Sequence, residues 1–282
     1  MKRRNDMVRD NNNRQFAVVT GASSGIGYEL ARQFGEHGFD LLIVSEQEHI
    51  KDAARAIEET GAAVESLQAD LATYEGVEKL SDAIQDAGRR LDAIAINAGV
   101  GISGEFARET DLRDELRLIH LNVVSPVHLA KRILKDMIEA GGGRVLFTSS
   151  IAGTMPGPFE AVYNASKAFL TSFAQAVRNE LKDTGVTITV LMPGATETEF
   201  FRRAGLEDTQ LGAGEKDDPA EVARQGFEAL MAGKDHVVAG SFKNKIQAFA
   251  GHVLPDPVMA DLHRKRSEPG SAQNREHAHD EL

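Results

Sequence analysis

Thr20-Gly21-Ala22-Ser23-Ser24-Gly25-Ile26-Gly27 is the stretch on which the reading of this chain turns. An apolar run over 16–20 leads directly into it, and a helical pattern over 28–37 follows. Gly21 permits a tight turn, Gly25 lets backbone N–H groups approach a ligand, and Gly27 lets the helix pack close to the strand. The start of the helix then offers unpaired N–H groups and the positive end of its dipole to a pyrophosphate. A glycine-rich turn alone is weak evidence; set between a first strand and a first helix it predicts a dinucleotide site.

Outward from that turn the pattern repeats. Apolar runs at 40–44, 62–68, 91–97, 144–149, 186–192 and 236–239 have strand length and little polar alternation, as strands buried on both faces do. Amphipathic segments such as 77–87 lie between them. Strand and helix alternating in this way predict a doubly wound parallel sheet of about seven strands with helices on both faces. Ligands then bind at the carboxyl ends of the strands. The expected layout is a flexible arm over 1–14, one domain over 15–240, a helical appendage over 241–266 and a disordered polar tail over 267–282.

Composition narrows the function. The 282 residues carry a net charge of −11, which disfavours general nucleic-acid binding. No cysteine is present, so disulfides, zinc–thiolate centres and thiol nucleophiles are excluded. The nine histidines show no metal-ligand spacing, and no metal is expected. No stretch approaches the about 20 apolar residues that span a bilayer. The closing His279-Asp280-Glu281-Leu282 matches a retrieval signal of the secretory lumen, but nothing at the start of the chain directs it there, so a cytoplasmic location is expected.

The spacing Gly21-x-x-x-Gly25-x-Gly27 differs from the ordinary dinucleotide fingerprint and resembles the short-chain dehydrogenase/reductase family. Asn97-Ala98-Gly99 after the fourth strand, Asp70-Leu71 after the third, and Pro193-Gly194 with Thr198 after the sixth match the same family over roughly 14–240. The resemblance implies a Rossmann-like oxidoreductase that moves a hydride between a nicotinamide dinucleotide and a carbonyl or alcohol. It implies cofactor contacts from Thr20, Gly21, Ser23, Ser24, Gly25, Ile26 and Gly27, from Ser45, Glu46, Asp70 and Leu71, from Asn97, Ala98 and Gly99, and from Pro193, Gly194, Thr196 and Thr198. It also implies a homodimer or homotetramer.

Tyr163 and Lys167 are four residues apart, on one face of a helix and within mutual reach. A free tyrosine titrates near 10. An ammonium about 4 Å away favours phenolate by up to about 4 kcal/mol at an effective dielectric near 20. The expectation is therefore a Tyr163 acidified by Lys167. Ser150 stands thirteen residues before Tyr163, the interval that the family resemblance implies, and Asn122 matches its fourth member. The implied roles are oxyanion stabilisation by Ser150, proton transfer by Tyr163, ribose binding by Lys167 (which also serves the cofactor, as Tyr163 does), and a water relay at Asn122. Ser149 is the rival to Ser150, because adjacent strand residues face opposite ways.

Cofactor choice is read after the second strand, at Ser45-Glu46. A carboxylate there accepts ribose hydroxyls and repels a 2′-phosphate, which favours NAD over NADP. An NADPH-dependent ketoreductase is the alternative, since His49 and Lys51 lie near enough to meet a phosphate. A non-catalytic nucleotide-binding regulator is a second alternative. Gly101, Met155, Phe159 and Phe200 are expected to line an apolar substrate pocket, with 195–214 as a lid. The appended 242–265 segment combines basic residues with an apolar face. It is expected to pack on its own subunit or a neighbour rather than on a membrane.

Overall fold

The computed structural model describes residues 14–273. Seven parallel strands run β1 (Gln15–Thr20), β2 (Phe39–Ser45), β3 (Val64–Gln68), β4 (Ala93–Ile96), β5 (Gly143–Thr148), β6 (Val186–Pro193) and β7 (His236–Ala239). Their order across the sheet is β3-β2-β1-β4-β5-β6-β7. The chain reverses its direction of winding between β1 and β4, and at such a switch point the strand ends open into a crevice.

Strand pleating divides the core in two. Phe16 and Val18 of β1 face one layer, whose helices are α3 (Tyr74–Asp86), α5 (Ser125–Glu139) and α6 (Ala161–Glu180). Ala17 and Val19 face the other, formed by α1 (Gly25–Glu36), α2 (Ile50–Glu58) and α9 (Pro219–Met231). In that second layer Phe34 meets Phe39 and Phe227 edge-on at 5.1 and 5.2 Å. The strand β3 differs from the expected doubly buried run. It starts at Val64, lies at the edge of the sheet, and exposes Glu65, Ser66 and Gln68.

Two features of the layout position the site. Between α4 (Leu112–Ile119) and α5 the helix widens into one π-type turn, His120–Val124. This extra residue per turn rotates Asn122 inward, as such bulges commonly do at functional sites. After β6, two short helices, α7 (Phe200–Arg203) and α8 (Gln210–Ala213), lie over the crevice.

The C-terminal segment differs from expectation at both ends. Helices α10 (Phe242–Val253) and α11 (Asp256–Ser267) pack on the domain. The buried Asn244 amide donates to Ala239 O at 2.8 Å and to Asp217 Oδ2 at 2.7 Å. Residues 267–273, expected within the polar tail, are held. Ser267 Oγ donates to Pro158 O at 3.0 Å, and Ala272 N donates to Asp208 O at 3.0 Å. At the other end Arg14, grouped by sequence with the arm, donates to Gly35 O and Phe39 O at 3.2 Å each. The rest of the arm, the rest of the tail and the His279–Leu282 signal lie outside the described residues. No helix among the described residues is long and apolar enough to cross a membrane.

Candidate active site

The glycine turn is shaped by close approach of backbone. Gly21 and Gly25 adopt φ of +67° and +57°, which side-chain-bearing residues rarely adopt. A Cβ on Gly27 would lie 2.1 Å from Gly21 O and 2.5 Å from Asn97 Nδ2. Gly27→Ala is therefore expected to open the turn, destabilising the fold by about 3 kcal/mol. It should weaken dinucleotide binding at least about tenfold. Thermal melting and a fluorescence titration with NADH and NADPH check both.

Thr20 differs from the role expected of it. Its hydroxyl is buried and accepts from Asn97 N at 2.8 Å and Ala98 N at 2.9 Å. It ties β1 to the Asn97-Ala98-Gly99 turn across the switch point and does not line the crevice.

The crevice has a volume of about 600 Å³ and runs from the ends of β2 and β3 to the end of β5. Ser23, Ser24, Gly25, Ile26 and Gly27 line it beside Ser45, Glu46, Asp70 and Leu71. Asn97, Ala98, Gly99 and Gly101, and Pro193, Gly194, Thr196 and Thr198 line it further along. Beside the ends of β2 and β3, Arg117 of α4 binds both Glu46 and Asp70, with Nη1 at 2.8 Å from Asp70 Oδ2. Partial burial works to raise the Asp70 carboxyl, but the hydrogen bonds from Arg117 and Ala72 N outweigh it and hold the group below its usual range. Arg117 lies 71 residues from Glu46, and no local pattern could have announced it. A Glu46 so paired is not the bare carboxylate that favoured NAD, because it shares the single positive charge of Arg117 with Asp70, which leaves the three groups a net charge of −1.

The other end holds Ser150, Tyr163 and Lys167. Ser150 caps the short turn Ile151–Thr154, its Oγ accepting from Ala152 N at 3.1 Å and donating to Pro193 O at 3.4 Å, and its hydroxyl lies beside the Tyr163 phenol. Ser149 also borders the crevice, but its hydroxyl donates to Lys167 O at 2.8 Å and lies 2.7 Å from Thr171 Oγ1. Lys167 Nζ donates to Thr148 O at 2.9 Å and lies 5.7 Å from the centre of the Tyr163 ring. Asn122 is buried; its Oδ1 accepts from Val100 N at 3.0 Å and its Nδ2 donates to Val100 O and Ser166 Oγ at 2.9 and 3.1 Å. Gly99 separates it from the lysine: a Cβ there would be 3.2 Å from both Asn122 Oδ1 and Lys167 Nζ.

The electrostatics correct one expectation. Lys167 does not acidify Tyr163 in this structure. Burial drives the phenol well above its ordinary value, the nearby Glu160 carboxylate raises it further, and only the Ser150 hydroxyl beside it opposes them. Burial also pushes the Lys167 amine down, from 10.5 to about 8. Removing both groups from water penalises phenolate and ammonium alike, and at a ring distance of 5.7 Å their attraction does not reverse this.

Two expected pocket residues are placed elsewhere. Met155 is buried with its sulfur 4.0 Å from Gln247 Nε2 of α10, outside the crevice lining. Phe159 has φ +66°, and its ring lies under Arg264 of α11, 5.0 Å from the guanidinium carbon. Helices α10 and α11 cover both, a contact between segments roughly a hundred residues apart. The same helices bring His263 into the lining, where its Nε2 lies 3.2 Å from Glu160 Oε2, both side chains being buried. Sequence reading missed this pair, since a histidine in a polar segment carries no local signal. Phe200 lines the crevice as expected, its ring 5.2 Å from that of Tyr163.

Comparison with known proteins agrees with this geometry. The family described as short chain dehydrogenase matches residues 15–208. Sulfoacetaldehyde reductase 2 of Chromohalobacter salexigens is 32% identical over 187 residues, 66% of this chain and 74% of that protein. Among solved structures, a short-chain dehydrogenase from Sphingobium yanoikuyae in complex with NADPH is similar, with a TM-score of 0.73 and 28% identity. The match covers 79% of this chain and 87% of that one. A short-chain dehydrogenase/reductase from Burkholderia phymatum in complex with NAD has a TM-score of 0.77 at 22% identity, covering 91% and 98% of the two chains, and shares the fold.

Proposed function

Because this chain belongs to the short chain dehydrogenase family and is a nicotinamide-dependent oxidoreductase, we propose that it interconverts a carbonyl and an alcohol at Ser150, Tyr163, Lys167 and Asn122. The observation that carries the reading is one crevice bordered at one end by Glu46 and Asp70 and at the other by Ser150, Tyr163 and Lys167. The glycine turn, left bare of side chains where a Cβ would strike backbone, fits a pyrophosphate between these ends. A bound nicotinamide dinucleotide, NAD or NADP, supplies or accepts the hydride.

The chain's own groups do the rest. Tyr163 gives its proton to the carbonyl oxygen in reduction and takes it back in oxidation. Ser150 hydrogen-bonds the same oxygen and stabilises its developing charge. Lys167 holds the ribose hydroxyls. Asn122, across Gly99 from the Lys167 ammonium, seats a water that returns protons to solvent. Phe200 and Gly101 border the space for the substrate and favour an apolar one. The catalytic unit is residues 15–240, extended by the helices of 241–266. We expect a homo-oligomer, since Leu116, Val124 and Phe169 leave an apolar surface exposed on α4 to α6; a cytoplasmic location stays an expectation from the sequence. The test is a panel of apolar ketones, aldehydes and secondary alcohols followed by the absorbance of NADH and NADPH. Turnover of a carbonyl with either cofactor is expected; tight dinucleotide binding with no turnover on any of them would favour a regulatory role.

A further inference from the structure

Helix α10 is built inside out. The residues turned to the domain are small or polar: Asn244 and Ala248 are buried, and a Cβ at Gly251 would lie 2.4 Å from Thr154 Oγ1. The opposite edge carries Phe242, Ile246, Phe249 and Val253, spaced by four, three and four residues and 73, 56, 71 and 62% exposed. A surface helix of a globular protein ordinarily turns such a stripe inward. On α11 the pattern recurs. Met259, His263 and Ser267 are buried, while Val258 and Leu262, with Leu254 in the connection, face out.

The charge on these helices is also opposite to that of the whole. Residues 242–267 carry Lys243, Lys245, Arg264, Lys265 and Arg266 against Asp256 and Asp261, in a chain whose net charge is −11. Lys243 is paired with Glu215 at 3.0 Å and Arg264 with Glu268 at 3.7 Å, so the positive charge offered to a partner rests on Lys245 and Lys265. Lys245 and Lys265 are exposed. Three occupants compete for such a face. Among the described residues, the protein's own core does not cover it. A second copy related by a twofold axis would set the same patch, with its excess of positive charge, against itself. An anionic lipid surface satisfies both halves of the pattern, taking the apolar side chains into the acyl boundary and the basic ones among the headgroups. A helix of twelve residues is too short to span a bilayer, so it lies in the plane of the surface.

We propose that α10 and α11 dock the protein on the surface of an anionic membrane. This rests on the exposed stripe and its charge, and is independent of the catalytic reading. The inward faces of the same helices, through Asn244, Gln247 and His263, border the crevice, so its mouth would open beside the lipid.

The test is flotation of the full chain with vesicles of phosphatidylcholine alone and of phosphatidylcholine mixed with phosphatidylglycerol. The wild type is expected to float with the mixed vesicles and to bind pure phosphatidylcholine at least about tenfold more weakly. Ile246→Glu combined with Phe249→Glu should stay in the dense fraction, with its melting temperature and sedimentation coefficient unchanged. Lys245→Glu combined with Lys265→Glu should lose the preference for phosphatidylglycerol. A wild type that does not float with the mixed vesicles, or that binds both lipids equally, overturns the proposal. So does an Ile246→Glu/Phe249→Glu variant that floats as well as the wild type, or one that dissociates an oligomer, which would make the face a contact between copies.

Discussion

Tyr163→Phe is expected to lower turnover by about a hundredfold to ten-thousandfold, the range spanned by loss of a positioned general acid. The substitution removes one oxygen and keeps the ring, which stays packed 5.2 Å from Phe200 on the wall of the crevice. The glycine turn, Glu46 and Asp70 are left as they are, so NADH and NADPH should bind within about tenfold of wild type, the loss of one hydroxyl contact. Stability should change little, because Ser150 keeps its bonds to Ala152 N and Pro193 O when the phenol oxygen leaves. The measurement is steady-state turnover beside a fluorescence titration. A variant that keeps its rate would show that the phenol is not the proton donor. Burial holds the phenol protonated throughout the neutral range. The group that titrates near working pH is its neighbour.

That neighbour gives the second large effect. Lys167→Met is expected to abolish detectable turnover and, unusually for an active-site change, to stabilise the protein. The amine is held at about 8 in the fold against 10.5 in the open chain. Between those two values the unfolded chain binds more protons than the folded one, so stability rises with pH across that window. The penalty is fully present below about 8, where it amounts to about 3 kcal/mol. Methionine removes it. The gain is offset by a Thr148 carbonyl left without its 2.9 Å donor, at a cost of about 1–2 kcal/mol. The net expectation is a rise in melting temperature of about 2–6 °C at pH 7, shrinking as the pH approaches 10. For the wild type, carbonyl reduction should fall as the pH rises through about 8, because the ammonium is lost there. Differential scanning calorimetry of both proteins across this range, with rate profiles of the wild type, measures all three. A lower melting temperature for Lys167→Met at pH 7 would mean that the amine is paired in the fold rather than penalised by it.

Some of this was legible in the chain because it depends on a few adjacent residues. Gly21 and Gly25 need positive φ whatever surrounds them, and the strands on either side are apolar because both their faces are covered. The four-residue step from Tyr163 to Lys167 is a property of any helix. The edge position of β3 was less legible. Val64-Glu-Ser-Leu-Gln68 alternates weakly, and only the strand order shows that no neighbour covers its outer side. Thr20 illustrates the same limit from inside the site. Its identity could be placed in the turn, but its use, bracing Asn97 and Ala98, is a bond between strands distant in sequence.

From the order of its residues alone, this protein was committed to a doubly wound sheet, a glycine turn at its first strand end, and a tyrosine and lysine on one helical face. Each of these follows from local backbone geometry and side-chain period, which operate over a few residues. The tertiary structure decided that Arg117 bridges Glu46 and Asp70, that His263 stands against Glu160, and that burial rather than charge attraction governs Tyr163. It also decided that α10 turns its phenylalanines outward. Those outcomes depend on which distant groups share a low-dielectric space and which are left to solvent. Solvation and charge coupling are set by three-dimensional neighbours, not by neighbours along the chain.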